Sequence, residues 1–183
     1  MPSKGLGLRI LVVSQHYWPE SFRINEVVDS LIESGCDVTV ITGQPNYPGG
    51  LIFPGYMSWA ASKTTYELKY DIFRVPLVPR MKGRSWHLIL NYLSFCGSAC
   101  ILGTWLLRKK KFDIIFVYAT SPIIQVIPAI WFARLKRAKL ITWVQDLWPQ
   151  SLEATGFIKN SILLNAISML AHWIYKRLGL NQQ

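Results

Sequence analysis

Acidic residues are scarce in the second part of this sequence. Residues 72–183 contain three acidic and fifteen basic side chains, whereas residues 1–71 contain seven acidic and five basic ones. The net charge of +10 therefore arises after residue 71, and its basic residues cluster at 80–84, 108–111 and 134–139. Such clusters attract anionic lipid, phosphorylated substrates or nucleic acid. They are also typical of solvated helix ends, where cations complement the helix dipole, and both interpretations stay open.

Cysteine and histidine are scarce too, with three of each. Cys96 and Cys100 lie four residues apart, but no second pair of ligands stands near them, and a zinc site usually needs four. The histidines show no metal-binding spacing, so we expect no metal. An odd cysteine count without a framework indicates a reducing compartment. The N-terminus leads directly into a predicted strand, so we expect no signal peptide and a cytoplasmic location.

Several motifs that would define a catalytic class are missing. Gly5 and Gly7 precede the first predicted strand, whereas the glycine-rich dinucleotide fingerprint must follow one. Neither a P-loop nor a Gly-x-Ser-x-Gly elbow occurs. These absences argue against the enzyme classes that the motifs define, and we expect no bound cofactor.

Apolar residues, in contrast, are abundant at 51% of the chain, enough for one substantial core. Short apolar runs rich in β-branched residues are typical of strands buried on both faces of a parallel sheet. Helical spacing predicts helices between these strands, with one over 121–137 kinked at Pro128 and one at the end of the chain. The alternation predicts an α/β fold with a mostly parallel sheet, formed by residues 1–183 as one domain. The predicted strands are 8–14, 37–42, 113–118 and 139–145, with a further strand or hairpin near 66–75.

Residues 86–107 contain no Lys, Arg, Asp or Glu. As a helix this stretch would be about 33 Å long, close to the thickness of a bilayer core. It falls between strands that should share one sheet, however, and a single crossing would separate them. We therefore predict a helix that packs partly on the sheet and partly faces an anionic membrane surface, with the basic run 108–111 at the headgroups.

Polar and aromatic residues concentrate in three predicted loops, 16–23, 43–55 and 146–153. Each follows a strand, and ligands of open α/β sheets bind beyond the carboxyl ends of strands. Aromatic faces beside carboxylates and amides suit a sugar, which offers an apolar C–H face and a rim of hydroxyl groups. Each aromatic residue could equally be a packing residue. The expected acceptor-binding residues are His16, Tyr17, Trp18, Asn46, Tyr47, Gln145, Trp148 and Glu153.

The run Thr42-Gly-Gln-Pro-Asn-Tyr-Pro-Gly-Gly50, followed by Gly55-Tyr56, resembles the signature loop of glycosyltransferase family 4. The resemblance is to the group that contains colanic-acid, O-antigen and L-fucosamine transferases. It extends to Asn91-Tyr-Leu-Ser-Phe95, Ser121-Pro122 and Asp146-Leu-Trp-Pro149, in the same order and spacing. It covers essentially the whole chain from Arg9 to Arg177.

This resemblance implies the N-terminal, Rossmann-like half of a GT-B fold. It also implies transfer of a sugar from a nucleotide-sugar donor, usually with retention and without a required metal. The implied acceptor is a lipid-diphosphate-linked saccharide at the inner face of the plasma membrane, in bacterial surface polysaccharide biosynthesis. Asp146 is the first expected catalytic residue and Glu20 the second, although Asp146 could instead cap the next helix.

Two departures from the family pattern stand out. Many relatives carry paired glycines where this chain has Tyr17-Trp-Pro-Glu20, and many carry histidine where it has Gln145. The resemblance therefore assigns no donor-phosphate contact to this half. The nucleotide-sugar domain of such relatives would follow Gln183, so we expect the 183 residues alone to be inactive.

Two alternative hypotheses remain. The chain could be a non-catalytic acceptor-binding module, or a truncated product that pairs with a separate donor-domain chain. A nucleic-acid-binding domain is suggested only by charge, and we expect no nucleic acid partner; a salt-dependent gel shift would test this.

Overall fold

The computed structural model describes residues 7–66, 70–81, 85–120, 123–145 and 161–178. Within them, one six-stranded sheet carries helices on both faces. The strands are β1 (Arg9–Val13), β2 (Asp37–Gly43), β3 (Ser62–Tyr66), β4 (Tyr70–Val75), β5 (Ile114–Ala119) and β6 (Lys139–Val144). The helices are α1 (Ile24–Glu33), α2 (Ser85–Leu106), α3 (Val126–Lys136) and α4 (Ser161–Leu178), with a 3-10 turn at Ile123–Gln125.

The strand order across the sheet is β3-β4-β2-β1-β5-β6. All neighbours are parallel except β3, which pairs antiparallel with β4. The apolar runs of β1, β2 and β4 are almost entirely buried, as expected for strands covered on both faces. The polar sequence of β3 suits its place at an open edge, where four of its five residues are exposed. The predicted mostly parallel α/β sheet is therefore confirmed.

Alternate residues of the central strands pack into two separate hydrophobic cores, one on each face of the sheet. Leu11 and Val13 of β1 point to the face covered by α2, α3 and α4. Ile10 and Val12 point to the opposite face, which α1 covers through Ile24 and its neighbours. The period-two side-chain geometry of a strand thus explains why nearly every β1 position is apolar.

Helix α2 packs against β2, β4, α3 and the 3-10 turn. Phe95, Ala99 and Leu107, in and just after it, are completely buried. By length and composition α2 could cross a membrane. Only 22% of the residues in its most apolar 18-residue segment are buried inside the protein. The contacts with β2 and β4 confirm the predicted packing of this helix on the sheet, while apolar side chains such as Ile101 and Trp105 remain exposed.

The helix that contains Pro128 begins later than predicted, so this proline does not lie in the helix interior, where a kink would be expected. A 3-10 turn occupies Ile123–Gln125, and α3 starts only at Val126. Pro128 therefore lies in the first helical turn, where its missing N–H would have had no partner within the helix. The predicted cap at Ser121-Pro122 lies outside the described residues.

Two residues of the predicted basic clusters have structural partners. Lys110 forms an ion pair with Asp71 of β4 at 2.8 Å. Lys136 donates hydrogen bonds to the carbonyl oxygens of Leu107 and Lys110, just beyond the end of α2. The helix-end interpretation of the basic clusters therefore holds for Lys136, whereas Lys110 pairs with a carboxylate on a strand. The exposed basic residues of the two clusters are Arg108, Lys109, Lys111, Arg134, Arg137 and Lys139.

Asp113 ties the start of β5 to the start of β1. Its carboxylate accepts hydrogen bonds from the Arg9 guanidinium at 2.6 and 3.0 Å and from the Arg9 backbone N–H at 2.9 Å. These side-chain bonds first, and then the backbone bond, lower the pKa of Asp113 to about 2.

We expect this pair to stabilise the fold at neutral pH and to be lost in acid. The folded-state pKa lies below the ordinary value, so the unfolded chain binds more protons in between, and stability falls as pH drops from about 4 to about 2. In Asp113→Asn, the free energy of unfolding, measured with urea, should fall less steeply across this pH range than in the native protein. High salt should reduce the difference, because the pair is partly exposed. An unchanged slope would exclude Asp113 as the titrating group.

Candidate functional site

Three segments meet beyond the carboxyl ends of β1, β2 and β4. They are residues 14–20, 44–56 and 76–81, and together we call them the rim. The first two were predicted from sequence, whereas the third was not. Backbone hydrogen bonds join them: Gly43 N–H donates to the Gln15 carbonyl, and Met81 N–H donates to the Gly50 carbonyl. Gly50 has a φ of 77°, and a β-carbon there would meet the Met81 backbone at 3.0 Å, so this junction requires glycine.

Glu20 is the buried centre of the rim. One carboxylate oxygen accepts the backbone N–H groups of Asn46 and Tyr47, each at 2.7 Å. The other lies 3.0 Å from Nδ1 of His16, four residues earlier. Both oxygens are engaged in joining two loops, and the side chain is 1% exposed. This geometry suits positioning of the loops, while the catalytic role predicted for Glu20 stays a prediction.

A chain of amides links the rim to helix α2. The side-chain N–H of Gln15 donates to Oδ1 of Asn91 at 2.7 Å. Asn91 in turn donates to the Val78 carbonyl at 2.7 Å and to Oδ1 of Asn46 at 3.3 Å. Oδ1 of Asn46 also accepts the backbone N–H of Arg80 at 3.3 Å. Asn91 thus contacts all three rim segments from the inner side of a helix whose outer side exposes apolar side chains.

Arg74 is a charged residue inside the buried strand β4. Nη2 donates to the Trp18 carbonyl at 2.7 Å, and its guanidinium lies over the Tyr56 ring at 5.1 Å. Burial lowers the pKa of Arg74 from its usual value, opposed by the nearby Tyr56 and Glu20. An arginine within an otherwise apolar strand run is a signal that sequence analysis could have used. These contacts hold the 14–20 loop against strand β4.

Aromatic rings form the outer surface of the rim. Tyr47 contacts His16 and Phe22, with ring centroids 5.6 and 5.1 Å apart. Its ring also lies 5.2 Å from the Arg80 guanidinium. On the side of the β3 edge, Trp18 contacts Tyr66 at 5.3 Å. Tyr47 and Trp18 are 39% and 41% exposed, so both are accessible from solvent.

The predicted acceptor-binding residues that the structure describes fall into two groups. Trp18, Tyr47 and Gln145 are exposed, whereas His16, Tyr17 and Asn46 are buried. Tyr17 lies in the core, where its hydroxyl is 2.7 Å from that of Tyr70. Burial, and then this bond, raise the Tyr17 pKa far above its usual value.

The third predicted loop lies outside the described residues. This applies to the expected catalytic residue Asp146 and to the expected acceptor-binding residues Trp148 and Glu153. Gln145, at the end of β6, donates its backbone N–H to the Ala119 carbonyl. The backbone at Gln145 therefore lies at the carboxyl ends of the strands, on the same side of the sheet as the rim. Within the described part of the chain, no group of three or more His, Cys, Asp or Glu side chains could hold a metal ion.

Comparison with solved structures shows a likeness in fold. The chain is similar in fold to the crystal structure of CalG4, the calicheamicin glycosyltransferase. The TM-score is 0.52 at 11% sequence identity, covering 96% of this chain and 42% of CalG4. The chain therefore spans less than half the length of that structure. No protein family and no curated protein matches the sequence. At this identity the likeness shows the fold alone, and the Rossmann-like α/β fold predicted from sequence is confirmed.

Proposed function

We propose that this chain is the acceptor-side half of a glycosyltransferase that works with a nucleotide-sugar donor. The observation that carries the proposal is the combination of fold and rim. Nearly the whole chain superposes on part of a glycosyltransferase. At the carboxyl ends of its strands it presents exposed aromatic rings beside an ordered amide network, which are surfaces that suit sugar recognition.

The acceptor we propose is a lipid-linked saccharide, used in bacterial surface polysaccharide biosynthesis. The apolar outer surface of α2 and α3 supports this, since membrane-bound substrates require an enzyme at the membrane. Ile101 and Trp105 of α2 are 73% and 62% exposed, and Trp131 of α3 donates a hydrogen bond to Thr104 beside them. Arg108 lies over the Trp105 ring at 4.3 Å, next to other exposed cations. Apolar and basic side chains together suit the surface of an anionic bilayer, so we place the chain peripherally at the inner face of the plasma membrane.

Disruption of the gene in its own cells tests this function. We expect a lipid-linked saccharide shorter by one sugar to accumulate, as identified by mass spectrometry. Reintroducing the native gene should restore the longer product, and the native protein should sediment with membranes. An unchanged set of lipid-linked saccharides would contradict the proposal. A normal saccharide set together with saccharide binding by the protein would favour the non-catalytic module.

Asp146 is the proposed catalytic residue, by resemblance, and the same cells test it. We expect reintroduced Asp146→Asn to accumulate to native levels and yet leave the short saccharide unextended. Thr120→Val, at the end of β5, serves as a control for changes at the same sheet edge. Full extension by the Asp146→Asn protein would remove Asp146 from the reaction.

A further inference from the structure

Arg80 differs in its partners from three other described cations near the sheet. Arg9 is paired with Asp113, while Lys63 and Lys110 are paired with Asp71. No carboxylate of the described residues lies within ion-pair distance of Arg80. Its guanidinium instead lies between two aromatic rings, 5.2 Å from the centroid of Tyr47 and 5.9 Å from that of Tyr92.

The two aromatic rings hold the guanidinium in place and leave most of its N–H groups without a hydrogen-bond partner in the described structure. The single side-chain hydrogen bond found for Arg80 in the described structure is a long one, from Nη2 to the Tyr92 hydroxyl at 3.4 Å. Burial raises the pKa of Tyr92, so its hydroxyl remains neutral and does not supply a counter-charge. Arg80 itself is only half-buried and Tyr47 is 39% exposed, so the remaining N–H groups face an open surface.

The backbone around Arg80 is held as firmly as its side chain. Its N–H donates to Oδ1 of Asn46, and the following Met81 N–H donates to the Gly50 carbonyl. Such positioning reduces the conformational entropy lost when a ligand binds. An arginine held against two rings, with free donors and no carboxylate partner, is suited to bidentate recognition of a phosphate group.

From this geometry we infer that Arg80 binds the diphosphate of the acceptor, between its lipid and its first sugar. The inference rests on the proposed function, because it locates one part of that acceptor. Tyr92 belongs to α2, and the exposed apolar residues Ile89 and Leu93 lie within one turn of it. A lipid lying along this face of α2 would bring its diphosphate to Arg80 and its sugar to the exposed rings of the rim.

Titration calorimetry with geranyl diphosphate tests the inference without requiring transfer. We expect the chain to bind geranyl diphosphate, and Arg80→Gln to weaken binding about tenfold or more. Arg80→Lys should be intermediate, because it keeps the charge and loses the planar fork. Arg177→Gln is the matched control, since Arg177 of α4 also lies over an aromatic ring, that of Trp173, at 5.5 Å; it should change affinity less than threefold, as roughly expected of a surface charge.

Three further ligands distinguish recognition of a lipid diphosphate from recognition of the lipid alone, of free pyrophosphate or of an anionic membrane surface. Geraniol, which lacks phosphate, should show no dependence on Arg80, and inorganic pyrophosphate should compete with geranyl diphosphate but bind more weakly. Phosphatidylglycerol vesicles should respond more to Arg108→Gln than to Arg80→Gln. Equal losses in both variants on vesicles would make Arg80 a general membrane contact and overturn the inference. Pyrophosphate binding as tightly as geranyl diphosphate would overturn its lipid component.

Unchanged affinity in a folded Arg80→Gln protein, checked by circular dichroism, would also overturn the inference. That result would leave the proposed function standing if gene disruption still shortens the saccharide. Conversely, Arg80-dependent binding with an unchanged saccharide set would overturn the proposed function alone.

Discussion

Replacing Glu20 with alanine is expected to lower the free energy of unfolding by about 3–5 kcal/mol. The substitution leaves the backbone N–H groups of Asn46 and Tyr47 without their acceptor in a buried site. It also leaves His16 without its carboxylate partner. An unsatisfied buried donor costs far more than the hydrogen bond contributed, because water cannot replace the lost partner. Urea unfolding followed by circular dichroism measures the change.

Two companion variants make the Glu20 result specific. Glu33→Ala removes an exposed carboxylate at the end of α1, and its stability should stay within about 0.5 kcal/mol of the native value. Glu20→Gln keeps one oxygen for the two backbone donors, so we expect a loss of about 1 kcal/mol. If Glu20→Gln instead keeps native stability while the cells fail to extend their saccharide, Glu20 acts in the reaction and not in positioning the loops.

Replacing Gly103 with alanine is expected to lower the free energy of unfolding by about 1–3 kcal/mol. A β-carbon at this position would lie 2.5 Å from Cδ1 of Ile41 and 2.9 Å from Cζ of Phe132. Both neighbours are completely buried, so they can make room only by disturbing the packing of α2 on the sheet and on α3. The measurement is again urea unfolding.

Gly97→Ala is the matched control on the same helix. A β-carbon at Gly97 would meet nothing within 4 Å. Alanine there should stabilise the protein by about 0.5–1 kcal/mol, because glycine is unfavourable inside a helix. Opposite signs at the two glycines would show that α2 packs along one side and is open along the other. Equal effects would mean that α2 does not pack on the sheet in solution.

The parallel strands β1, β2, β5 and β6 could be predicted because their apolar runs can be recognised without knowledge of their partners. The hairpin of β3 and β4 was placed only approximately near 66–75. β3 consists of Ser-Lys-Thr-Thr-Tyr and has almost no apolar signal, since an edge strand exposed to water does not need one. Pro128 misled the helix prediction because a proline inside a helix and one in its first turn look the same in sequence.

The rim could be predicted only in part. Its aromatic and amide residues follow strand ends, which identified the first two segments. The link from Gln15 to Asn91 spans 76 residues, and no local pattern indicates such a pairing. Glu20 was noticed as a carboxylate among aromatic residues, but its backbone partners become visible only when two loops are brought together. Arg80 was noticed solely as a member of a basic cluster, and its two rings come from separate elements.

The central place of β1 has a consequence for biosynthesis. β1 leaves the ribosome first and can pair with β2 soon afterwards, but its other edge pairs with β5, which begins at Ile114. At about 5–20 residues per second, that edge waits several seconds or longer for its partner. During this time a nearly all-apolar strand is open to other nascent chains. We therefore expect chaperones that shield newly made chains to raise the soluble yield of this protein, and to act before β5 has emerged.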